Sequence, residues 1–411
     1  MRTGLLLVGV VLAAPGARAQ DDVPVSTRPE RLYVNSGLLM GSSRVVGLGG
    51  AYVGIAEGVV GFASNLAALA HRAPRLDKEW DVGVSLSWMD LPLSEAKGKD
   101  LDNDGVPDDA PETLQLFGAV MLQYHNVGLG FSLRNYRVGY CNTATCDRDD
   151  LIRVSQLHAS LAGAVALGRD DFILGFGIYS AQAILNHKHE GDWFYSSTGV
   201  ALDMLYRPLG RPYRLGLSVR PEIRGPWRRQ GEQPSFIAGR QIYSAVVSPG
   251  VVSLGVSWRM GKGAELYNRL SPATRQQMLE GDYFTEVPSE DDSQAPEGRW
   301  LFSVQGDLLS AVENAVSMHS FTALTAPERV GASPMLQPRV GVEHETWPGR
   351  LRTRMGAFIE PSPFEGRPAR PHLTGGFELL LFHYLDDWAL TASFDASRRY
   401  SNFGISVGFW R

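Results

Sequence analysis

The stretch from Asn126 to Tyr136 reads NVGLGFSLRNY and alternates between two classes of residue. One class is bulky and apolar and consists of Val127, Leu129, Phe131 and Leu133. The other is small or polar and consists of Gly128, Gly130, Ser132 and Arg134. Because successive side chains of a strand point to opposite faces, this stretch predicts a β-strand with one apolar surface.

The same alternation recurs along most of the chain after Asp81. It is clear at 172–178, 213–219, 252–258 and 403–409. In a soluble sandwich the second face would be exposed to water and rich in Thr, Lys and Glu. Here it is mostly Gly and Ser, with single charges at Arg352, Arg354, Glu360 and Glu378. This composition suits a confined polar lumen and predicts an all-β, antiparallel transmembrane barrel.

The pattern yields about fourteen strands, an even number as bacterial single-chain barrels require. They are 80–89, 113–124, 126–137, 151–167, 171–183, 196–207, 211–221, 243–259, 299–309, 336–346, 350–360, 372–383, 386–396 and 402–410. Short connections lie near 125, 168–170, 208–210, 348–349 and 385, and most of those between them are longer. The connection at 398–400 is intermediate in length. Short periplasmic turns and longer outer loops alternate in the same way in such barrels.

One connection breaks this alternation. Residues 260–298 should form a short turn but are long and include a helix-like segment, 271–279. Either this segment is a periplasmic excursion, or a strand nearby is miscounted.

The amino terminus has the pattern of a secretory signal. Met1-Arg2 precedes an apolar run, 5–14, and the small-residue triplet Ala17-Arg18-Ala19. We expect residues 1–19 to be a signal peptide cleaved before Gln20. A membrane anchor is disfavoured because the apolar run is short and ends at Pro15-Gly16. An exported barrel implies the bacterial outer membrane.

Composition restricts the partners and the class of protein. The chain has 411 residues, 44% hydrophobic and 20% charged, with a net charge of -5. A slightly acidic chain without a long basic run is not expected to bind nucleic acid. Past the first 20 residues there is no run of about 18 apolar residues, which argues against membrane-spanning helices. In an oxidising compartment, Cys141 and Cys146 are expected to form a loop disulfide.

Residues 44–69 read RVVGLGGAYVGIAEGVVGFASNLAAL. This stretch resembles the amino-terminal signature of the FadL/TodX-type long-chain fatty acid outer-membrane transporter family, including its PorV-like relatives. It departs from that signature at Gly58, where a second acidic residue is usual, and at Leu66-Ala67-Ala68, where Pro-Ala-Gly is usual. The matching positions are Arg44, Gly47, Gly49, Gly50, Ala51, Tyr52, Ala56, Glu57, Asn65, Ala67 and Leu69.

The resemblance implies an amino-terminal plug or hatch, 20–79, in front of a barrel, 80–411. In the family the plug blocks the lumen, and its movement opens a lateral or axial path for apolar substrates. The plug positions expected to matter most are Arg44, Gly47, Gly49, Gly50, Tyr52 and Asn65. Glycines there would let the backbone pack closely against the barrel wall. A phosphate-binding loop is disfavoured, because Tyr52 breaks the GxGxxG pattern.

The implied function is passive transport of hydrophobic small molecules, such as long-chain fatty acids, with a hydrophobic small molecule or lipid and outer-membrane lipid as partners. The alternative is a PorV-like barrel that acts as a shuttle or docking partner for exported proteins. A soluble exported β protein is a third interpretation.

A second motif lies in the predicted first outer loop, 90–112. Residues 100–108 read DLDNDGVPD, with carboxylates at positions 1, 3, 5 and 9 and Gly at position 6. This spacing can wrap oxygens around Ca²⁺, and the motif resembles the calcium loops of thrombospondin type 3 repeats. The expected ligands are Asp100, Asp102, Asp104, the Val106 carbonyl and Asp108. An EF-hand is excluded by Pro111 at position 12, and a solvated acidic loop is the alternative.

The remaining patterns give no sign of an enzyme or of a required cofactor. Gly404–Gly408 matches the GxSxG nucleophile pattern, but the helix that should follow has no room before Arg411. A polar loop, rather than a metal site, is expected at His187-Lys188-His189-Glu190 and Asp192. The ending Phe409-Trp410-Arg411 resembles the signal read by the barrel-assembly machinery.

Overall fold

The computed structural model describes residues 30–409, except 35–36, 74–77, 91–97, 109, 142–150, 169, 189–190, 229–235, 238, 273, 275, 277–299, 323–325 and 385. The predicted signal peptide, 1–19, and its cleavage before Gln20 lie outside these residues.

The amino-terminal part forms short elements. Strand β1 is Arg31–Tyr33, helix α1 is Ser43–Gly47, helix α2 is Gly58–Gly61, and a 3₁₀ turn spans Leu66–Leu69. Ser42 begins α1, because its hydroxyl accepts a hydrogen bond from the Val45 N–H at 3.3 Å. Asn65 begins the 3₁₀ turn in the same way through the Ala67 N–H at 3.0 Å. These caps hold short helical turns that are too brief to be stable alone.

Nineteen further strands follow in the part of the chain that the structure describes. They are β2 (Trp80–Met89), β3 (Glu112–Tyr124), β4 (Val127–Tyr140), β5 (Ile152–Leu167), β6 (Phe172–His187), β7 (Gly191–Tyr206), β8 (Tyr213–Arg220), β9 (Ile223–Arg228), β10 (Phe236–Ile237), β11 (Arg240–Gln241), β12 (Ala245–Ser248), β13 (Val251–Met260), β14 (Trp300–Leu309), β15 (Ala315–Ser317), β16 (Met335–Trp347), β17 (Leu351–Glu360), β18 (Arg370–Tyr384), β19 (Asp386–Ser397) and β20 (Tyr400–Phe409).

Fourteen of the described strands, β2–β8, β13, β14 and β16–β20, form one antiparallel barrel. The barrel closes between β2 and β20, where Leu86 pairs with Val407. Closure leaves no free edge, as a barrel in lipid requires. The predicted fold class and strand number are therefore confirmed.

The alternation along each strand separates an outer apolar face from an inner face. In β4, Leu129 is 58% exposed whereas the neighbouring inward residue Ser132 is 2% exposed. The same outward face carries Leu86, Phe176, Leu254 and Leu373 on other strands, all strongly exposed. Such a continuous exposed apolar surface is stable only against lipid.

The helices outside the amino-terminal part are also short. Helix α3 is Met318–Thr322, and a 3₁₀ helix spans Ala264–Asn268. Among the residues described, no helix is both long and apolar enough to cross a membrane.

One end of the barrel carries the predicted short turns. Two residues, 125–126, join β3 to β4, and His125 takes a φ of 51°, a left-handed conformation suited to a tight hairpin. The connections β5–β6, β7–β8, β16–β17 and β18–β19 lie at the same end.

At the opposite, outer end, two expectations were wrong. Only 188–190 connect β6 to β7, where a longer loop was expected, and only 398–399 connect β19 to β20. The sequence pattern ended β6 at 183, but its ladder with β7 continues to His187 and Gly191. Polar cross-strand pairs such as Asn186 with Asp192 extend the hairpin beyond the alternating apolar region.

The predicted strand 243–259 is in fact two strands, and this is a further correction. It is interrupted at Pro249-Gly250, because proline has no N–H to donate to a ladder. Before this break, β12 leaves the barrel and pairs antiparallel with β9. It also pairs parallel with β1, which in turn pairs parallel with β15. The four short strands β9, β12, β1 and β15, joined to the barrel through the β7–β9 pairing, thus hold the amino-terminal strand at the outer end.

The long connection after β13 lies at the end that carries the short turns. Its first part packs against the barrel: the Asn268 side chain donates to the carbonyls of Pro208, Arg211 and Tyr213 at 2.8–3.0 Å. The predicted helix-like segment 271–279 is only partly described, although Ser271 accepts a hydrogen bond from the Thr274 N–H. Residues 277–299 lie outside the described part.

Candidate functional site in the barrel lumen

The amino-terminal segment lies inside the barrel. Its backbone contacts inward side chains from strands on several sides: Tyr52 N–H donates to Gln305 of β14 at 2.9 Å, and Leu66 N–H donates to Asp203 of β7 at 2.6 Å. Gln123 of β3 donates to the Leu69 carbonyl at 2.6 Å. We call residues 30–73 the plug.

The six predicted plug positions all lie on this interface with the wall. Asn65 is fully buried, and its amide donates to the carbonyls of Val53 at 2.9 Å and Met204 at 3.1 Å. The Gly47 carbonyl accepts a hydrogen bond from the Thr374 hydroxyl at 3.3 Å. Tyr52 is also fully buried, and its hydroxyl donates to the Glu57 carbonyl at 3.3 Å.

Gly49 and Gly50 are two plug glycines that the local geometry requires. Both have a left-handed backbone, with φ of 63° and 75°. A Cβ at Gly49 would lie 2.9 Å from Ala357 N, and one at Gly50 would lie 2.1 Å from an Arg339 nitrogen. The wall is equally close, since a Cβ at Gly356 would lie 2.3 Å from Gly49 N. The plug therefore touches the wall backbone to backbone here.

Arg44 joins the plug to the wall through buried ion pairs. Its guanidinium donates to both carboxylate oxygens of Glu343 on β16, at 3.1 and 3.0 Å. It also donates to Glu57 within the plug at 3.0 Å. Arg44 is 3% exposed and Glu343 is 4% exposed. Two-pronged pairs of this kind are the strongest that an arginine makes with carboxylates.

The network continues through both carboxylates into the wall. Glu343 accepts from Arg354 at 2.5 Å, and Arg354 also donates to Glu378. Glu57 accepts from Arg214 of β8 at 2.9 Å. Burial alone would raise the pKa of Glu57, but Arg44 and Arg214 hold it well below its usual range. The plug carboxylate is therefore ionised at neutral pH and links the plug to β8, while Arg44 links it to β16.

A cavity of about 220 Å³ lies between the plug and the wall. The plug contributes Leu38, Leu39 and Met40 to its lining. The wall contributes the basic side chains of Arg134, His158, Arg220 and Arg339, together with Tyr179 and Asp307. The lining thus combines an apolar surface with an excess of positive charge.

Only some of the charged side chains that line this cavity have a hydrogen-bond or ion-pair partner. Arg339 donates to Asp307 at 2.5 Å, and Arg220 donates to the Ala63 carbonyl at 3.1 Å. By contrast, the side chains of Arg134 and His158, which are cross-strand neighbours on β4 and β5, make no hydrogen bond or ion pair with any residue that the structure describes. A partly buried guanidinium without an acceptor is a binding group for an anion.

The wall is interrupted beside this cavity. The β7–β8 ladder extends only from Leu202 to Tyr206 of β7, and pairing resumes with β9 at Phe194 and Tyr195. No described ladder pairs residues 196–201 with that side. The chain bends between β8 and β9 at Pro221, whose missing N–H cannot continue the ladder. Tyr179, which lines the cavity, donates to the Pro221 carbonyl and thus marks where the cavity meets the gap.

The acidic motif lies at the outer end of the barrel. The structure brings together Asp100, Asp102 and Asp108, one carboxylate oxygen of each lying within 4.8 Å of the others. Asp104 lies outside this group, and its carboxylate accepts from the Val106 N–H at 2.6 Å. Val106 itself is 52% exposed.

The other predicted features occupy different places. Cys141 is disulfide-bonded, and Cys146, the other cysteine of the sequence, lies outside the described residues. His187 and Asp192 do not belong to a group of potential metal ligands among the described residues, and His189 and Glu190 lie outside them. Gly404–Gly408 lies within β20, as the alternation predicted.

The cavity residues were not identified as a site from the sequence, although Arg134 was placed on the inward face. A single charged residue among small inward residues was the available signal, and Arg134 has it. His158 lies where the alternation is less regular, and Arg220 ends the regular alternation of 213–219 on another strand, so the sequence connected neither with Arg134.

Comparison with known proteins supports the fold. No protein-family model and no curated protein sequence matches the chain. Among solved structures, the Pseudomonas putida toluene transporter TodX is similar over 90% of this chain and 97% of its own, with 12% identity and a TM-score of 0.50. A Pseudomonas aeruginosa FadL homologue covers 90% and 98% with 12% identity and a TM-score of 0.49. The CymD monoaromatic hydrocarbon channel covers 90% and 96% with 11% identity and a TM-score of 0.49. The similarity to TodX agrees with the barrel fold that residues 44–69 led us to expect.

Proposed function

We propose that the chain is a FadL/TodX-type barrel of the bacterial outer membrane that passes hydrophobic small molecules inward without energy coupling. The observation that carries this proposal is the cavity between plug and wall, whose lining residue Tyr179 lies beside a break in the ladder of a lipid-facing barrel. The TodX structure, that of a toluene transporter, has a similar fold. Export with removal of residues 1–19 is part of the proposal.

The cavity lining indicates the class of ligand. Leu38, Leu39 and Met40 offer an apolar surface, and the Arg134 side chain offers a positive charge without a described protein partner. An apolar molecule with one anionic group, such as a long-chain fatty acid, satisfies both parts. An uncharged hydrocarbon would leave the guanidinium of Arg134 unpaired.

The plug supplies the gate in this proposal. Arg44, Gly47, Gly49, Gly50, Tyr52 and Asn65 hold it against the wall. Release of these contacts would open the lumen below the cavity, whereas the gap beside β7 offers a lateral path that needs no complete release.

Uptake by whole cells tests transport. The chain is expressed in a Gram-negative host that lacks its own transporter for fatty acids, and uptake of a labelled long-chain fatty acid is followed. We expect uptake to depend on the chain and to change when residues 44–69 are deleted. Uptake that is unchanged by this deletion, in a variant that still assembles in the outer membrane, would refute gating by the plug.

Binding to the purified barrel tests the ligand class. The variant Arg134→Gln should weaken binding of a long-chain fatty acid but leave binding of the alcohol of equal length unchanged. The matched control is Arg367→Gln, which removes an exposed arginine of the β17–β18 loop. An equal loss of binding affinity for the acid and the alcohol would show that Arg134 does not bind the carboxylate group.

The alternative function, a PorV-like shuttle or docking partner for exported proteins, predicts a different result. A stable complex with an exported protein, together with uptake no greater than in cells without the chain, would establish it and exclude transport.

A further inference from the structure

The acidic loop after β2 is folded down over the outer end of the barrel. Asp100 N–H donates to the Arg399 carbonyl at 2.8 Å, in the β19–β20 hairpin. The Asn103 amide donates to the Glu360 carbonyl at 3.1 Å, at the end of β17. Leu101 is 3% exposed and belongs to the hydrophobic cluster at this end. We call residues 98–108 the acidic lid.

Three carboxylates of the acidic lid converge at its base. One oxygen from each of Asp100, Asp102 and Asp108 lies within 4.8 Å of the others. Ca²⁺ binds oxygen at about 2.3–2.6 Å, so two ligands on opposite sides of the ion are about 5 Å apart. The three oxygens are therefore close enough to share one ion without a large movement of the backbone.

The positive groups nearby satisfy only part of this charge. His319 of α3 lies 2.6 Å from an Asp108 oxygen, and Arg370 of β18 lies 3.7 Å from Asp100 Oδ2. Asp100 Oδ2 also accepts the Gly105 N–H at 3.0 Å. Asp102 accepts from the Ser317 hydroxyl at 3.3 Å, which is a weak, neutral contact.

One oxygen in the cluster has no partner. Asp100 is 3% exposed, and its Oδ1 is buried without a hydrogen bond from any residue that the structure describes. Leaving a buried carboxylate oxygen unsatisfied is costly, because it loses its hydration without replacement. A bound cation would remove this cost and the mutual repulsion of the three carboxylates.

We propose that Asp100, Asp102 and Asp108 bind one Ca²⁺ ion that holds the acidic lid closed over the outer end of the lumen. Carboxylate oxygens favour a hard cation over zinc or copper. Ca²⁺ accepts six to eight ligands in flexible geometry and tolerates such a loop, whereas Mg²⁺ demands a near-ideal octahedron. His319 pairs with Asp108 and Arg370 with Asp100, and these contacts orient the two carboxylates.

The site also connects the acidic lid to the rest of the outer end. Asp102 and His319 both line a small cleft with Leu101, Tyr33 and Met318. Tyr33 belongs to β1, the strand that holds the start of the plug. An ion at this point would therefore fix the acidic lid next to the amino-terminal strand and cover the lumen from outside.

Calcium titration of the full chain, purified in detergent and freed of metal with a chelator, tests the site. We expect saturable binding of one Ca²⁺ with a Kd on the order of 10⁻⁴–10⁻³ M, the range of extracellular calcium modules, and much weaker binding of Mg²⁺. Asp102→Asn should weaken Ca²⁺ binding by about tenfold or more, because ligand charge sets the affinity. Asp192→Asn, in the exposed β6–β7 hairpin, is the matched control and should leave it unchanged.

Two results would overturn the site. The first is absence of saturable binding up to about 10 mM Ca²⁺, well above the range of such modules, by a barrel that still shows heat-modifiable migration. The second is equal binding by the Asp102→Asn variant and the unaltered chain. Heat-modifiable migration of each variant distinguishes a lost site from a misfolded barrel.

Limited trypsin digestion tests closure of the acidic lid. Lys99 is 5% exposed and its ammonium pairs with Asp90 at 2.8 Å, so the closed lid shields this cleavage site. We expect Ca²⁺ to slow cleavage after Lys99 by about tenfold or more, because the cleavage rate follows the fraction of open lid. In the Asp102→Asn variant, Ca²⁺ should leave the cleavage rate unchanged. Calcium binding without a change in this cleavage would refute closure. Fatty acid uptake plays no part in either assay, so failure here leaves the transport proposal untouched.

Discussion

Replacement of Arg44 by glutamine should release the plug from the wall. Arg44 is 3% exposed and donates to Glu343 at 3.0 and 3.1 Å and to Glu57 at 3.0 Å. Breaking a buried ion pair typically costs about 3–5 kcal/mol. The lower value applies, because Glu343 keeps Arg354 and Glu57 keeps Arg214 as partners. A loss of about 3 kcal/mol corresponds to a rise of roughly 100-fold in the released plug population.

Thiol labelling measures this population. Ala68 is fully buried in the 3₁₀ turn of the plug, far along the chain from Arg44. In an Ala68→Cys background, a water-soluble maleimide should react roughly 100-fold faster when Arg44→Gln is added, since labelling follows opening. Arg367→Gln, an exposed arginine, is the matched control and should not change the rate.

Two outcomes would refute this reasoning. If labelling of Ala68→Cys is equally fast with and without Arg44→Gln, the ion pairs do not hold the plug. If labelling is faster but heat-modifiable migration is lost, the barrel itself has unfolded and the gain is not plug release. The labelling rate with Arg44→Lys should lie between the rates with Arg44 and with Arg44→Gln. Lysine keeps the positive charge but not the two-pronged geometry.

Three further predictions concern the plug and the wall gap. Gly356→Val should displace the plug, because a Cβ there would lie 2.3 Å from a plug nitrogen; faster labelling of Ala68→Cys checks this, and an unchanged rate would contradict it. Ser197→Phe, at the wall gap where the serine hydroxyl donates to a β9 carbonyl at 3.0 Å, should slow fatty acid uptake, whereas the exposed neighbour Thr198→Phe should not. Plug retention should weaken as pH falls below the ordinary carboxyl range, about 4.3, because the pKa of Glu57 is depressed in the folded protein. Glu57→Gln should flatten this acid dependence of labelling, and equal profiles would exclude the carboxyl group.

The strands of the barrel could be predicted because their signal is local. In β2 the residues at 80–89 alternate between apolar and small or polar side chains, and the structure has the strand at Trp80–Met89. Lipid on one side and the plug on the other impose opposite requirements on neighbouring residues. Each strand can therefore be predicted from its own residues, whichever strand it pairs with.

The alternation no longer predicts the structure where a strand does not face lipid on one side and the plug on the other. The outer parts of β6 and β7 extend beyond the alternating apolar region. There Leu185 and Trp193 pack in a buried cluster with residues such as Tyr136 and Ile242, so the sequence pattern ended the strands early. The departure of β12 from the barrel depends on β1, a strand of three residues that no periodicity can reveal. Both features depend on contacts between segments distant in the sequence.

The charged network shows what the sequence does contain about the site. Arg44 and Glu57 belong to the stretch that resembles a family signature, and Arg354 and Glu378 stood out as charges on an inward face. Their pairing could not be derived, because Arg44 and Glu343 are 299 positions apart and meet only through the registers of the closed barrel.

The burial of these charges nevertheless explains why they are there. In an open, water-filled pore, inward charges would be hydrated and would need no partner. Glu343 and Arg354 are 4% and 3% exposed, so neither would be stable as an ion without an opposite charge beside it. Arg354 gives Glu343 one such partner, and the plug brings Arg44 as the second. Paired charges at these inward positions are therefore a property of a lumen that a plug occupies, and they make the plug part of the folded barrel.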